Sequence, residues 1–294
     1  MSTWSPGLVA PADRKRKNEM HNGRAPLRAT AEDRDDELAT DADGAATQTD
    51  AGSVLDNPVW FALTGMQREL GTVAAGAARF DTEVAPFGAF LGEPTTEDWR
   101  EMTRLTGSVN GVAVVGGAVG DLPTGWSATW SIGTAQMVLH DSAVSAGTHP
   151  ETGGTDRVLP LGPSDIDEML ELVELARPGP FLRRTVEFGG YFGIRRDGQL
   201  VAMAGERMRP PGYAEVSAIA THPDHRGRGL GTRLVRTVSN AIVGRGERPF
   251  LHVAHENETA IRLYAAMGFT TRRDVEFTVV EGPSDADGES AQPD

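Results

Sequence analysis

The stretch Thr221-His-Pro-Asp-His-Arg-Gly-Arg-Gly-Leu-Gly-Thr-Arg-Leu-Val235 decides how the rest of this chain is read. It closes a strand pattern, turns through a glycine-rich loop and opens an amphipathic helix. Within it, Arg226-x-x-Gly229-x-Gly231 puts small residues where backbone approaches a ligand closely, and exposed N–H groups at a helix start attract anionic oxygens. The expectation is a cradle for a pyrophosphate.

The elements around the loop alternate as in an α/β sheet. A strand is expected at 158–161, then a helix capped by Ser164 with Ile166, Met169, Leu170 and Val173 on its inner face. Strands at 190–194 and 199–205 form a hairpin closed by Asp197-Gly198. A strand at 214–221 leads into the glycine loop, and the helix that follows, over about 229–243, carries Leu230, Leu234, Val238 and Ile242 at helical spacing. A strand at 250–254, a helix capped by Asn257 and ended by Gly268, and a strand at 269–280 complete the series. The order is β-α-β-β-β-α-β-α-β, with a further short helix expected near Phe181.

A phosphate loop of this kind has three owners. A nucleotide-hydrolysing P-loop requires Lys-Ser/Thr after its last glycine, and here Gly231 is followed by Thr232-Arg233. A dinucleotide fold places its glycine turn after the first strand of its domain, whereas this loop follows about the fourth. The third owner fits: the stretch resembles the acyl-CoA loop of the GNAT N-acyltransferase superfamily, in which an Arg/Gln-x-x-Gly-x-Gly/Ala element follows the fourth strand. Downstream, Asn257-Glu-Thr-Ala-Ile-Arg-Leu-Tyr264-Ala-Ala-Met-Gly268-Phe269 is similar to that superfamily's Asn-x-x-Ala-x-x-x-Tyr-x-x-x-Gly-Phe helix. Asn57-Pro58-Val59-Trp60, Phe181-Leu-Arg-Arg184-Thr185 and Gly190-Tyr191-Phe192-Gly193 extend the resemblance to two-lobed members, with a degenerate N-terminal lobe before an active C-terminal one.

The resemblance implies a mixed α/β sheet of the GNAT acyl-CoA N-acyltransferase fold in two tandem lobes, and transfer of an acyl group, most often acetyl, from coenzyme A to a primary amine. Backbone N–H groups of Arg226, Gly227, Arg228, Gly229, Leu230, Gly231 and Thr232 would hold the pyrophosphate. Ile219 would aim a backbone N–H at the thioester carbonyl, and Ile219 and Thr221 would pair with the pantetheine amides. Glu215, or Glu206 on the neighbouring strand, or water, would take the proton of an ammonium whose pKa is ~10. Tyr264 would protonate the departing thiolate, and Asn257 would cap its helix and contact the cofactor. Phe181, Arg184, Tyr191 and Phe192 are the expected acceptor-lining residues, with Arg184 suited to a carboxylate. Acetyl-CoA or another acyl-CoA is the expected co-substrate and a small-molecule amine the expected acceptor. Alternatives from other classes are a non-catalytic acyl-CoA-binding sensor and a protein acetyltransferase acting on lysines or N-termini.

Composition narrows the partners. The chain has 294 residues and no cysteine, so disulfides, thiolate metal sites and cysteine nucleophiles are excluded. His222 and His225 read as loop packing or hydrogen bonding rather than metal ligands, and no metal is implied. Net charge is −14, distributed as −3 over 1–50, −7 over 51–155, +1 over 156–280 and −5 over 281–294. The segment holding the glycine loop is the only one without an acidic excess, as suits a polyanion, and nucleic acid is not an expected partner. No apolar signal core or membrane-spanning run is present, so a cytoplasmic location away from membranes is expected. Oligomeric state is not readable from this sequence.

Residues 1–53 lack a hydrophobic period and read as a disordered tail, its Arg14-Lys15-Arg16-Lys17 run a solvated charge cluster. A degenerate lobe is expected over 54–155, the acyl-CoA-binding domain over 156–280, and an acidic tail over 281–294. In the first lobe, Asn57 caps a helix with Pro58 in its first turn, Thr95 opens a second, and strands are expected at 112–119 and 128–139. It contains no Arg/Gln-x-x-Gly-x-Gly loop, which argues against a second copy of the same cofactor site.

Overall fold

The computed structural model describes residues 53–107, 111–116, 119–140 and 157–283. The expected tails lie outside these residues, apart from their ends at Ser53 and at positions 281–283. Capping residues set the first helices. After a short α1 (Ser53–Asp56), Asn57 accepts a hydrogen bond from the Trp60 amide at 3.3 Å and Pro58 occupies the first turn of α2 (Pro58–Leu63). Three short strands follow, β1 (Gly71–Ala74), β2 (Ala77–Phe80) and β3 (Phe87–Phe90). None has enough alternation to stand out in sequence. At α3 (Thr96–Thr106), Thr95 and Asp98 form a reciprocal capping box.

Strand β4 (Gly111–Val115) is shorter than expected, whereas β5 (Ser127–Leu139) runs as expected. The second half follows the expected order: β6 (Val158–Leu161), α4 (Ile166–Ala176), β7 (Tyr191–Arg196), β8 (Gln199–Glu206), β9 (Tyr213–Thr221), α5 (Leu230–Gly244), β10 (Arg248–Ala254), α6 (Glu258–Ala266) and β11 (Phe269–Glu281). Asp197 and Gly198 adopt φ of +51° and +83°, which turns β7 tightly into β8. Ser164 does not cap α4. It lies inside a 3-10 turn, Pro163–Asp165, and the Asp165 carboxylate closes that turn by accepting from the Gly162 amide at 2.9 Å. The short helix expected near Phe181 is a 3-10 turn at Thr185–Phe188.

The strands form one eleven-stranded sheet in the order β1-β2-β3-β4-β11-β5-β10-β9-β8-β7-β6. Two pairings are parallel, β3 with β4 and β9 with β10; the others are antiparallel. Strand β5, from the first half of the chain, lies between β10 and β11 from the second, and β11 also pairs with β4. Halves joined by interleaved strands share a core: Leu55, Val59, Phe80 and Phe87 pack in one buried cluster with Phe188, Tyr213, Phe250 and Phe277. On the opposite face, Leu230, Leu234, Val238 and Ile242 of α5 are buried against β7 to β10, while Met169 and Leu172 of α4 pack with Ala218 and Ala220 on the other. Among the described residues, no helix is long and apolar enough to cross a membrane.

Candidate active site

Two glycines shape the loop after β9. Gly227 and Gly229 both sit at φ +74°, in the left-handed region that disfavours side chains, and Gly229 forms the N-cap of α5. A 3-10 turn, Pro223–His225, precedes them, with His222 Nδ1 accepting from the Asp224 amide at 3.3 Å. The Arg226 amide donates to Pro223 O at 3.3 Å, and the next amide to donate into the protein is that of Arg233, to Gly229 O at 3.1 Å. Among the described residues, the six amides of 227–232 therefore have no protein acceptor. Six N–H groups at the positive end of a 15-residue helix form a site for a polyanion.

Beside this loop the sheet opens. Strands β9 and β10 pair only at Tyr213, Ala214 and Glu215 with Arg248, Pro249 and Phe250, and then diverge. On its other side β9 carries a bulge: Ala218 is at φ +50°, and Ala218 and Ile219 both stand opposite Ala204. Among the described residues neither has a register partner on β8 or β10, and the bulge lies where β9 and β10 part. A cleft of about 390 Å³ occupies the gap. Val253, Asn257 and Tyr264 line it towards α5 and α6. Further lining residues, Phe87, Trp130, Ile132, Thr134, Arg207, His252 and Phe277 with residues 176–180 at the end of α4 and beyond, form the part of the cleft next to α4, its chamber.

Tyr264 is 7% exposed, and no protein group among the described residues hydrogen-bonds its hydroxyl. Burial raises its pKa to about 12, which keeps the phenol protonated and able to donate. Asn257 Oδ1 caps α6 by accepting from the Ala260 amide at 3.1 Å, and among the described residues its amide nitrogen has no acceptor.

Glu215 is placed differently from the expected base. Fully buried, it does not line the cleft. Arg207 grips it through two hydrogen bonds, Nε to Oε2 at 2.8 Å and a terminal nitrogen to Oε1 at 2.6 Å, and His252 Nδ1 lies 2.7 Å from Oε1. Burial opposes the charge, but Arg207 and then His252 outweigh it and hold the carboxyl at about 2. His252 Nε2 in turn lies 3.1 Å from Gln136 Nε2. The Gln136 amide orientation is set at both ends, since Nε2 donates to Leu55 O at 2.8 Å and Oε1 accepts from Arg272 at 2.8 Å. His252 Nε2 is therefore the acceptor, and Nδ1 carries the proton given to Glu215. Both oxygens of Glu215 accept hydrogen bonds and both nitrogens of His252 are engaged, so Glu215 stands as a buried, ion-paired carboxylate behind His252 and not as the free base expected. Glu206 is also committed, to Arg245 at 3.0 and 2.6 Å, and lies outside the cleft.

The four expected acceptor-lining residues are elsewhere. Phe181 and Tyr191 pack edge to face at 5.6 Å beneath α4, and the Tyr191 hydroxyl donates to Glu206 O at 2.9 Å. Phe192 packs against the core under α5, and Arg184 is held by Glu187 and Asp81. Large apolar rings are more strongly rewarded by the core than by the cleft. The chamber residues that sequence reasoning missed had two signals: a lone histidine inside the apolar strand 250–254, and the alternation Trp130-x-Ile132-x-Thr134 along β5.

Comparison with known proteins places this geometry. A family model described as FR47-like protein matches residues 191–278. A solved structure described as an acetyltransferase from the GNAT family, from Novosphingobium aromaticivorans DSM 12444, matches with a TM-score of 0.69 at 36% identity, covering 78% of this chain and 99% of that one. An uncharacterized protein of Mycobacterium leprae is 31% identical in a match 216 positions long that covers 65% of this chain and 58% of the relative, so the chain spans less than two thirds of that relative's length. N-alpha-acetyltransferase RimI of Mycobacterium tuberculosis is 39% identical over 82 residues, 27% of this chain and 51% of the relative.

Proposed function

The chain belongs to the GNAT family, and from that premise we propose that it transfers an acyl group, acetyl in the first instance, from coenzyme A to a primary amine on a small molecule. The observation that supports the reading is the run of six amides over 227–232 with no protein acceptor among the described residues, beside a cleft lined by Ile219, Asn257, Tyr264 and residues 176–180. The pyrophosphate of acetyl-CoA rests on those amides, with the field of α5 behind them. Its pantetheine arm lies in the gap between β9 and β10 along Ile219 and Thr221, within reach of the Asn257 amide. The acceptor amine enters from the chamber on the α4 face.

Its ammonium releases a proton to water in the chamber, because Glu215 and Glu206 are both committed to arginines. The amine nitrogen then attacks the thioester carbonyl and an N–C bond forms. Charge developing on the carbonyl oxygen is met by the Ile219 N–H. As the C–S bond breaks, the Tyr264 hydroxyl gives its proton to sulfur, the nitrogen sheds its second proton to water to leave the neutral amide, and the phenolate recovers a proton from solvent.

The test is release of free thiol from acetyl-CoA over a panel of primary amines, with Gly229→Glu as the control. Amine-dependent release that disappears in the control supports the reading. Binding of acetyl-CoA with no release against any amine would overturn it in favour of an acyl-CoA-binding sensor.

A further inference from the structure

Among the described residues, the chamber on the α4 face is lined by two arginines and a histidine, and by no carboxylate. A site that selected its acceptor through a cationic amine would present an acid there. The charge of Arg207 is already neutralised by Glu215. Arg177 is different: it is exposed at the rim of the cleft, and among the described residues it has no ion-pair or hydrogen-bond partner for its side chain. It also holds φ +51°, ψ +57° as the C-cap of α4, where its amide donates to Val173 O at 2.7 Å. This is the left-handed position that helices usually give to glycine. A side chain kept there against its conformational preference, uncompensated and facing a cleft, fits a ligand contact better than a cap.

Opposite the rim, Phe87, Trp130 and Phe277 supply aromatic walls, with Phe87 and Phe277 packed edge to face at 6.0 Å. We propose that Arg177 binds a carboxylate on the acceptor, and that the acceptor is an α-amino acid with a large apolar or aromatic side chain, its ring against Phe87, Trp130 and Phe277 and its α-amine directed to the thioester. This rests on the acyl-transfer reading and supplies its substrate class. It also moves the carboxylate contact from Arg184, which Glu187 and Asp81 hold away from the cleft.

The experiment compares phenylalanine with phenethylamine, which lacks only the carboxylate, and with phenylalaninamide, which mimics a peptide N-terminus. Each is tested with acetyl-CoA in the parent and in Arg177→Gly, a substitution that suits the backbone at this position and removes the cation. The parent should favour phenylalanine over both analogues in kcat/KM by about tenfold or more. In Arg177→Gly the phenylalanine KM should rise until that preference is gone, while phenethylamine turnover and thermal stability are retained. A parent that prefers either analogue, or a preference that survives in Arg177→Gly, overturns the proposal while leaving acyl transfer standing. Turnover of other amines with none of these three also overturns it. Should no amine release thiol, the acyl-transfer reading is what fails; calorimetric titration of N-acetylphenylalanine against N-acetylphenethylamine then decides the carboxylate contact, and equal binding of the two overturns it.

Discussion

At the cofactor end, in the loop after β9, six consecutive backbone amides have no protein partner among the described residues, whereas at the acceptor end both oxygens of Glu215 and both ring nitrogens of His252 are engaged. The first end is built from one contiguous stretch whose glycines at φ +74° turn N–H groups outward, so its unmet donors await a ligand. The second is assembled from β3, β5, β10, β11 and the loops after α4 and β8, and apart from Arg177 at its rim its charged groups are held by one another. Open donors give binding, and a closed network gives rigidity. The cofactor end should therefore answer to mutation in affinity, and the acceptor end in stability first and specificity second.

The largest expected effect strikes the closed network. Glu215→Leu leaves the Arg207 guanidinium, 11% exposed, without its counter-ion, and should cost about 3–5 kcal/mol in denaturant unfolding. A loss below 1 kcal/mol would mean that the network does not hold the acceptor end together. The same carboxylate predicts a pH dependence. Its pKa is depressed from 4.5 to about 2 in the folded state, so the stabilisation it gives is complete above the unfolded value and is lost as pH falls from 4.5 through 2. That contribution is on the order of 3 kcal/mol, and the stability gap between parent and Glu215→Leu should shrink across that window.

Tyr264→Phe tests the open end. Turnover should fall about a hundredfold while acetyl-CoA affinity is unchanged. With its pKa raised to about 12 by burial, the parent should show no rate loss from phenol ionisation up to about pH 10. An unaltered kcat in the variant removes Tyr264 from the chemistry. The smallest effect is expected at Trp130→Ala, which should raise the acceptor KM about tenfold and leave the affinity for acetyl-CoA alone. A change in cofactor affinity instead would place Trp130 on the wrong side of the comparison.

The same difference governs what the sequence discloses. The glycine loop, the Asn257 cap and Tyr264 lie within short motifs whose physics is local, and the element order of residues 158–281 follows from periodicity and turns. The insertion of β5 between β10 and β11 is set by pairing between segments more than 100 residues apart, which no local pattern encodes. Glu215 looks like a free base until Arg207, across the turn between β8 and β9, and His252, on β10, are placed against it. Arg184 looks like a substrate clamp until Asp81 arrives from the other half of the chain. Strands β1 to β3, only four residues each, were too short to show a period.

Calorimetric titration of acetyl-CoA into the full chain, beside the Gly229→Glu variant, tests the central claim most directly. Nothing lies within 4 Å of the position a Cβ would take at Gly229, so the new side chain clashes with nothing, but at φ +74° it strains the loop, and strain and negative charge both act against an anion held there. The account predicts saturable one-site binding in the parent, weakened at least a hundredfold in the variant. No binding by the parent, or equal affinity in the two proteins, would contradict it.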